Sequence, residues 1–105
     1  MKKAVEYVIV GGDEYETVAA GQTNQVLGLA GSVNDMFSRL VVDVATSLTS
    51  AVSIKDGANA AIEVIPANTP VGPYTVELGI RSTNGPWQVT TQAGVSCIAI
   101  GQFSF

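Results

Sequence analysis

Hydrophobic and polar residues alternate along most of this chain, so its dominant period is two rather than 3.6. From Tyr74 to Ile80 the apolar side chains occupy every second position (Tyr74, Val76, Leu78, Ile80), with Thr75, Glu77 and Gly79 between them and Arg81 after. That pattern predicts a strand with one buried and one wet face. Leu40, Val42 and Val44 alternate with Arg39 and Asp43 in the same way. Val52 and Ile54 flank Ser53, Ile62 and Val64 flank Glu63, Trp87 and Val89 alternate with Gln88 and Thr90, and the run from Val95 to Phe105 closes the chain. The expected inward-facing set is Leu40, Val42, Val44, Ile54, Ile62, Val64, Val76, Leu78, Ile80, Trp87 and Val89.

Turn signals separate these runs at near-regular intervals. Asp56-Gly57 lies between Val52–Lys55 and Ala60–Ile65 and predicts a short hairpin. Asn84-Gly85, within Thr83–Pro86, predicts a second one between the Tyr74 and Trp87 strands, with positive φ at both central residues. Ala93-Gly94 breaks the chain before the last strand. Pro66, Pro70 and Pro73 remove ladder donors, so 66–73 is expected to be a crossing loop from one sheet to another. Seven or eight short strands at this spacing predict an all-β fold, an antiparallel two-sheet sandwich or a small barrel. One stretch breaks the period. Ala30 to Leu40 predicts a single helical turn, with Ser32 as N-cap and Asp35 in its first turn, leading into a strand.

Length allows one domain: 105 residues suffice for one core and are too few for two. Charge changes the picture more. Only 13% of residues are charged, against about 25% in ordinary soluble domains, and 47% are hydrophobic. A surface with so few charges is tolerable where copies of the chain or a partner cover part of it. Net charge is −4, and no basic stripe interleaved with aromatics exists, which argues against nucleic acid as a partner. Met1-Lys2-Lys3 imitates the opening of a signal peptide, yet Glu6 interrupts the apolar run and Gly11-Gly12-Asp13-Glu14 ends it early. No apolar stretch reaches the roughly 20 residues of a membrane span. The expectation is a protein made and kept in a cytoplasm, or in something assembled there.

The first sixteen residues stand apart. They hold four of the nine acids (Glu6, Asp13, Glu14, Glu16), two of the three tyrosines and the apolar run Val8–Val10, with Gly11-Gly12 as a joint behind it. Residues 1–16 are therefore read as an N-terminal arm on a sandwich domain of residues 17–105. The arm either adds an edge strand to its own sheet or pairs with a neighbouring subunit. The second alternative is the hypothesis adopted, and it makes Tyr7, Val8, Ile9, Val10 and Tyr15 the candidate protein-interaction residues.

Chemistry is scarce. Histidine is absent, so no Ser-His-Asp or Cys-His constellation can form. Gly28-Leu-Ala-Gly31-Ser32 lacks the spacing and the lysine of a phosphate-binding loop. Asp56-Gly57-Ala58-Asn59 offers two oxygen donors where a calcium loop needs six or more, so Asp56 reads as the first residue of a turn. Cys97 lies in the alternation Val95, Cys97, Ala99 and reads as a buried, inert thiol. Asp43, Glu63 and Glu77 are the strand-borne carboxylates available to a glycosidase-like pair, but each sits on the polar phase of its strand, where charges are ordinarily solvated. Glu77 and Arg81, four apart on one strand face, are each expected to pair with a residue across the sheet. Trp87 continues the apolar phase of Val89 and reads as core, against the alternative of a sugar-stacking platform. No catalytic residue, metal ligand or cofactor site is expected.

Several of these segments, taken in order, resemble small proteins encoded near the head genes of tailed phages: Gln22–Gly28, Gly31, Val52–Gly57, Leu78–Ser82, Gly85-Pro86-Trp87, Gly94–Ser96 and Ala99–Gly101. In size and strand layout the chain is similar to capsid decoration (cement) proteins with jelly-roll-like sandwiches. The likeness covers residues 17–105, and the arm departs from it. It implies a non-enzymatic virion protein, a homotrimer, docked on the major capsid protein of a phage head and assembled in the bacterial host cytoplasm. A carbohydrate-binding module of a head fibre or tail, using Trp87, Tyr74 or Tyr15 outward, is the alternative.

Overall fold

The computed structural model describes residues 13–103, and among them every regular element is a strand. There are eight: β1 (Glu14–Val18), β2 (Gln25–Val26), β3 (Met36–Val44), β4 (Val52–Asp56), β5 (Ile62–Ile65), β6 (Gly72–Arg81), β7 (Trp87–Thr90) and β8 (Val95–Gln102). They form two antiparallel four-stranded sheets packed as a sandwich. Sheet I has the order β1-β8-β3-β6, and sheet II has the order β2-β7-β4-β5. The pairings are nested: first strand with last, second with seventh, third with sixth, fourth with fifth. Among the described strands, only β4 and β5 form a hairpin between consecutive strands of one sheet.

The core follows from the alternation. Leu40, Val42 and Val44 of β3, Val52 and Ile54 of β4, Trp87 and Val89 of β7, and Val95, Cys97 and Ala99 of β8 are all buried between the sheets. Phe37 of β3 completes the cluster, together with Val18, Leu27, Leu48, Ile65 and Phe103 from edge strands and loops. Phe37 is its aromatic centre, edge-on to Trp87 at 5.6 Å and to Phe103 at 5.7 Å.

Two members of the expected inward set fall outside the core. Ile62 faces Ile54 across the β4–β5 ladder but is 48% exposed, because β5 is a short outer strand. A bulge there leaves Val64 unopposed and shifts burial to Ile65, while Val64 packs only partly against the core. Ile80, opposite Phe37 near the end of edge strand β6, is 40% exposed. Val76 and Leu78 are half-buried against the core.

The expected helical turn in Ala30–Leu40 is not formed. Apolar residues at 33, 36, 37, 40 and 41 imitate the spacing of a helix, but the cause is a β-bulge. The register of β3 against β8 slips between Phe37 and Arg39, so Phe37 and Leu40, three apart, both point inward. Ser32 does not cap a helix. Its Oγ donates to the Leu29 carbonyl at 2.8 Å and to Asp35 Oδ2 at 2.9 Å. Asn34 takes a φ of 67°, outside right-handed helix. Asp35 is buried in an exchange with Ser82: its N–H donates to Ser82 Oγ, and its carbonyl accepts from the Ser82 N–H at 2.9 Å and from Trp87 Nε1 at 3.0 Å.

Asn84-Gly85 does not form a primed hairpin turn either, and neither residue has positive φ. The reason is topological. β6 lies in sheet I and β7 in sheet II, so residues 82–86 cross between sheets. Residues 66–71 also cross from sheet II to sheet I, as the prolines predict. Pro73 itself lies in β6, tolerated because that strand is an edge.

Candidate interaction face

The arm and the domain meet differently from the boundary drawn at residue 16. Glu14–Val18 is one continuous edge strand, in register with β8 from Glu14↔Gly101 to Val18↔Cys97. For these residues the own-sheet alternative holds. Its start is tied down: Phe103 N–H donates to Glu14 Oε1 at 3.3 Å, and Gln102 Nε2 approaches Asp13 Oδ1 at 3.4 Å. Glu16 joins β1 to the other sheet through Gly28 N–H at 2.9 Å and Gln25 Nε2 at 3.2 Å. Tyr7, Val8, Ile9 and Val10 lie outside the described residues.

Tyr15 is described, and it is 69% exposed. It stands on the outward face of sheet I opposite Ile100, and Thr17 stands opposite Ile98. Ile98 in turn faces Val41 on β3. Ile98 is 40% exposed, Val41 and Ile100 are half-exposed, and no described residue covers the four. Asp13, Glu14, Tyr15, Ile98 and Ile100 line an open, mostly apolar depression of about 430 Å³. The rim is polar: Arg39 and Glu77 form an exposed ion pair at 3.4 Å, and Asp43 lies in the next row. Arg81 does not join a cross-strand pair but donates to the Asn34 carbonyl at 3.0 Å. Ile98 and Ile100 were legible as members of an apolar run. Their outward direction was not, because β8 is apolar on both phases and only the partner strands decide which side is core.

The other candidates are dispersed or buried. Asp43 and Glu77 lie in different rows of sheet I, and Glu63 lies on sheet II, so the three carboxylates are not brought together. Trp87 is 2% exposed and its indole N–H is bonded, which removes it as a stacking platform. Tyr74 is half-buried, with its hydroxyl donated to the Pro70 carbonyl at 2.8 Å. We expect Trp87 emission in the blue, resistant to iodide and unchanged by added glycans. Red emission with ready quenching would contradict the burial of Trp87. Cys97 is 2% exposed, and burial pushes its thiol up to about 12. The native protein should resist alkylation by iodoacetamide at pH 8 over hours and react fully once unfolded, as read by mass spectrometry.

Asp56 does more than open a turn. It is 8% exposed, and its carboxylate gathers the next crossing loop: Oδ2 accepts from Thr83 N–H at 2.8 Å and Thr83 Oγ1 at 3.0 Å, and Oδ1 accepts from Asn84 N–H at 3.0 Å and Gly85 N–H at 3.2 Å. Its role is structural, fixing the loop that hands the chain from sheet I to sheet II. Comparison with known proteins adds nothing to this geometry: no family model, no curated protein and no solved structure matches the chain.

Proposed function

We propose that this chain is a non-enzymatic structural protein of a phage virion, a decoration protein that self-associates, as a trimer, and docks on the major capsid protein of the head. The observation that carries the reading is the outward face of sheet I, where, among the described residues, nothing covers Tyr15, Val41, Ile98 and Ile100, beside a strand apolar on both sides and on a chain only 13% charged. Such a face favours burial against another protein surface. The nested strand order supports the same reading, since it is the order of a jelly roll, an architecture found among capsid proteins. Fold alone does not fix function, so the reading stands on the face and on the resemblance together.

The test is binding to purified phage heads, unexpanded and expanded, by co-sedimentation. Saturable binding at a fixed ratio to the capsid protein is expected, weakened by Ile98→Lys and Tyr15→Lys. Absence of binding to either form would overturn the reading.

A further inference from the structure

Two glycines meet backbone to backbone beside Asp56, and each follows an acid or its amide. Asp56-Gly57 and Asn84-Gly85 are the chain's only Asx-Gly dipeptides, and the structure sets them against each other. Such dipeptides rearrange readily in a loose chain, because glycine has no side chain to hinder ring closure and the freest backbone. Asp56 is ionised at neutral pH, and a carboxylate carbon is a poor electrophile. Asn84 is the reactive member, and it is exposed, so water reaches it. We propose that Asn84-Gly85 is a latent deamidation site, held closed by Asp56 and Asn59 and converted when the crossing loop opens.

The reaction needs only water. The Gly85 nitrogen gives up its proton and attacks Cγ of Asn84, forming a C–N bond. The bond from Cγ to Nδ2 breaks, the leaving nitrogen takes up the released proton and departs as ammonia, and a cyclic imide remains. Water then opens the imide at either carbonyl, leaving aspartate or isoaspartate at position 84. Nothing is oxidised or reduced.

The fold opposes each step at a particular atom. Gly85 N–H donates to Asp56 Oδ1 at 3.2 Å, and loss of that proton would set two negative charges side by side. Asn84 Nδ2, the leaving nitrogen, donates to Asn59 Oδ1 at 2.8 Å on the β4–β5 turn. Ring closure also requires the 84–85 peptide to turn. Asn84 N–H is held on Asp56 Oδ1 at 3.0 Å, however, and Gly85 is buried against Gly57. Gly57 is itself fixed, its N–H donated to the Pro86 carbonyl at 3.1 Å. Conversion therefore waits on a local opening of the loop. Either product then adds a charge beside Asp56, and isoaspartate adds a backbone carbon ahead of Gly85, so the loop no longer closes as before.

Peptide mapping by mass spectrometry, on the full chain aged at pH 8, tests this. Conversion at Asn84 should be at least about tenfold slower in the native protein than in guanidinium chloride, as for a step gated by local opening. Asp56→Ala, shown to be folded by circular dichroism, should convert several-fold faster than wild type. It should also outpace Val44→Ala, which weakens the core at the far end of β3 and leaves the loop intact. Should Asp56→Ala not fold, Asn59→Ala decides, because that side chain is exposed and outside the core. A several-fold rise in Asn59→Ala supports the guard, and the wild-type rate overturns it. The converted fraction, separated by its added charge, should melt below the parent protein, and equal melting would overturn the release of the loop. Equal conversion in native and unfolded chains, or in Asp56→Ala and Val44→Ala, would overturn the inference as a whole.

Discussion

Replacing Asp56 with alanine is expected to destabilise the protein by about 3 kcal/mol, lowering its melting temperature by more than about 10 °C in a domain of this size. The carboxylate accepts four hydrogen bonds from three consecutive residues of the 82–86 crossing loop. Bonds to an ionised acceptor contribute about 1.5–3 kcal/mol each, but Thr83 and Asn84 are exposed, so water replaces part of the loss. Gly85 is buried, and its N–H would be left without an acceptor. Burial pushes the Asp56 carboxyl up, yet the bonds from Thr83, Asn84 and Gly85 outweigh it and hold the group below its usual 3.8. The unfolded chain therefore takes up this proton at higher pH than the folded one. The stabilisation is complete above about pH 4 and is lost as pH falls through the lower folded value. Chemical denaturation between pH 7 and pH 2.5 should show that acid loss in the wild type and a shallower one in Asp56→Asn. Equal stability of Asp56→Ala and wild type at pH 7 would refute the anchoring role.

Gly85→Val is expected to cost about 3 kcal/mol, at the upper end of overpacking effects. The cause is not φ, which is not positive at Gly85. A Cβ on Gly85 would lie 2.9 Å from the Gly57 Cα, and a Cβ on Gly57 would lie 2.8 Å from the Gly85 nitrogen. Backbone meets backbone here, because the β4–β5 turn and the crossing loop are drawn together by the carboxylate of Asp56. Neither strand can retreat without breaking bonds to that group. Gly85→Ala, which adds the Cβ alone, should already lose much of the stability, and a thermal melt checks both. Gly57→Ala should be worse than Gly85→Ala, since φ at Gly57 is +57° and the same clash applies.

Both effects converge on one tetrapeptide and one residue that local pattern reads differently. Asn84-Gly85 has the composition of a hairpin turn, and Asp56 that of a turn opener. Such signals assume that consecutive strands are partners. Here six of the seven connections between the described strands join different sheets, so the residues of a turn are spent on approach and anchoring.

The sequence by itself determined the class of fold. Period-two alternation in β3, β4, β6 and β7 assigned the strands and the inward faces of Leu40, Val42, Val44, Ile54, Trp87 and Val89, because a pleated strand with one wet side permits no other placement. The prolines at 66 and 70 marked a crossing for the same local reason. Tertiary structure alone decided what local pattern leaves free. The bulge at Ser38 converts helix-like spacing into strand, and the edge position of β5 and β6 leaves Ile62 and Ile80 exposed although their phase is inward. The apolar outer side of β8 became a candidate interaction face only when β1 and β3 fixed which of its two apolar phases is core. Strand order is set by long-range pairing and by the burial it allows, and no window of neighbouring residues encodes it.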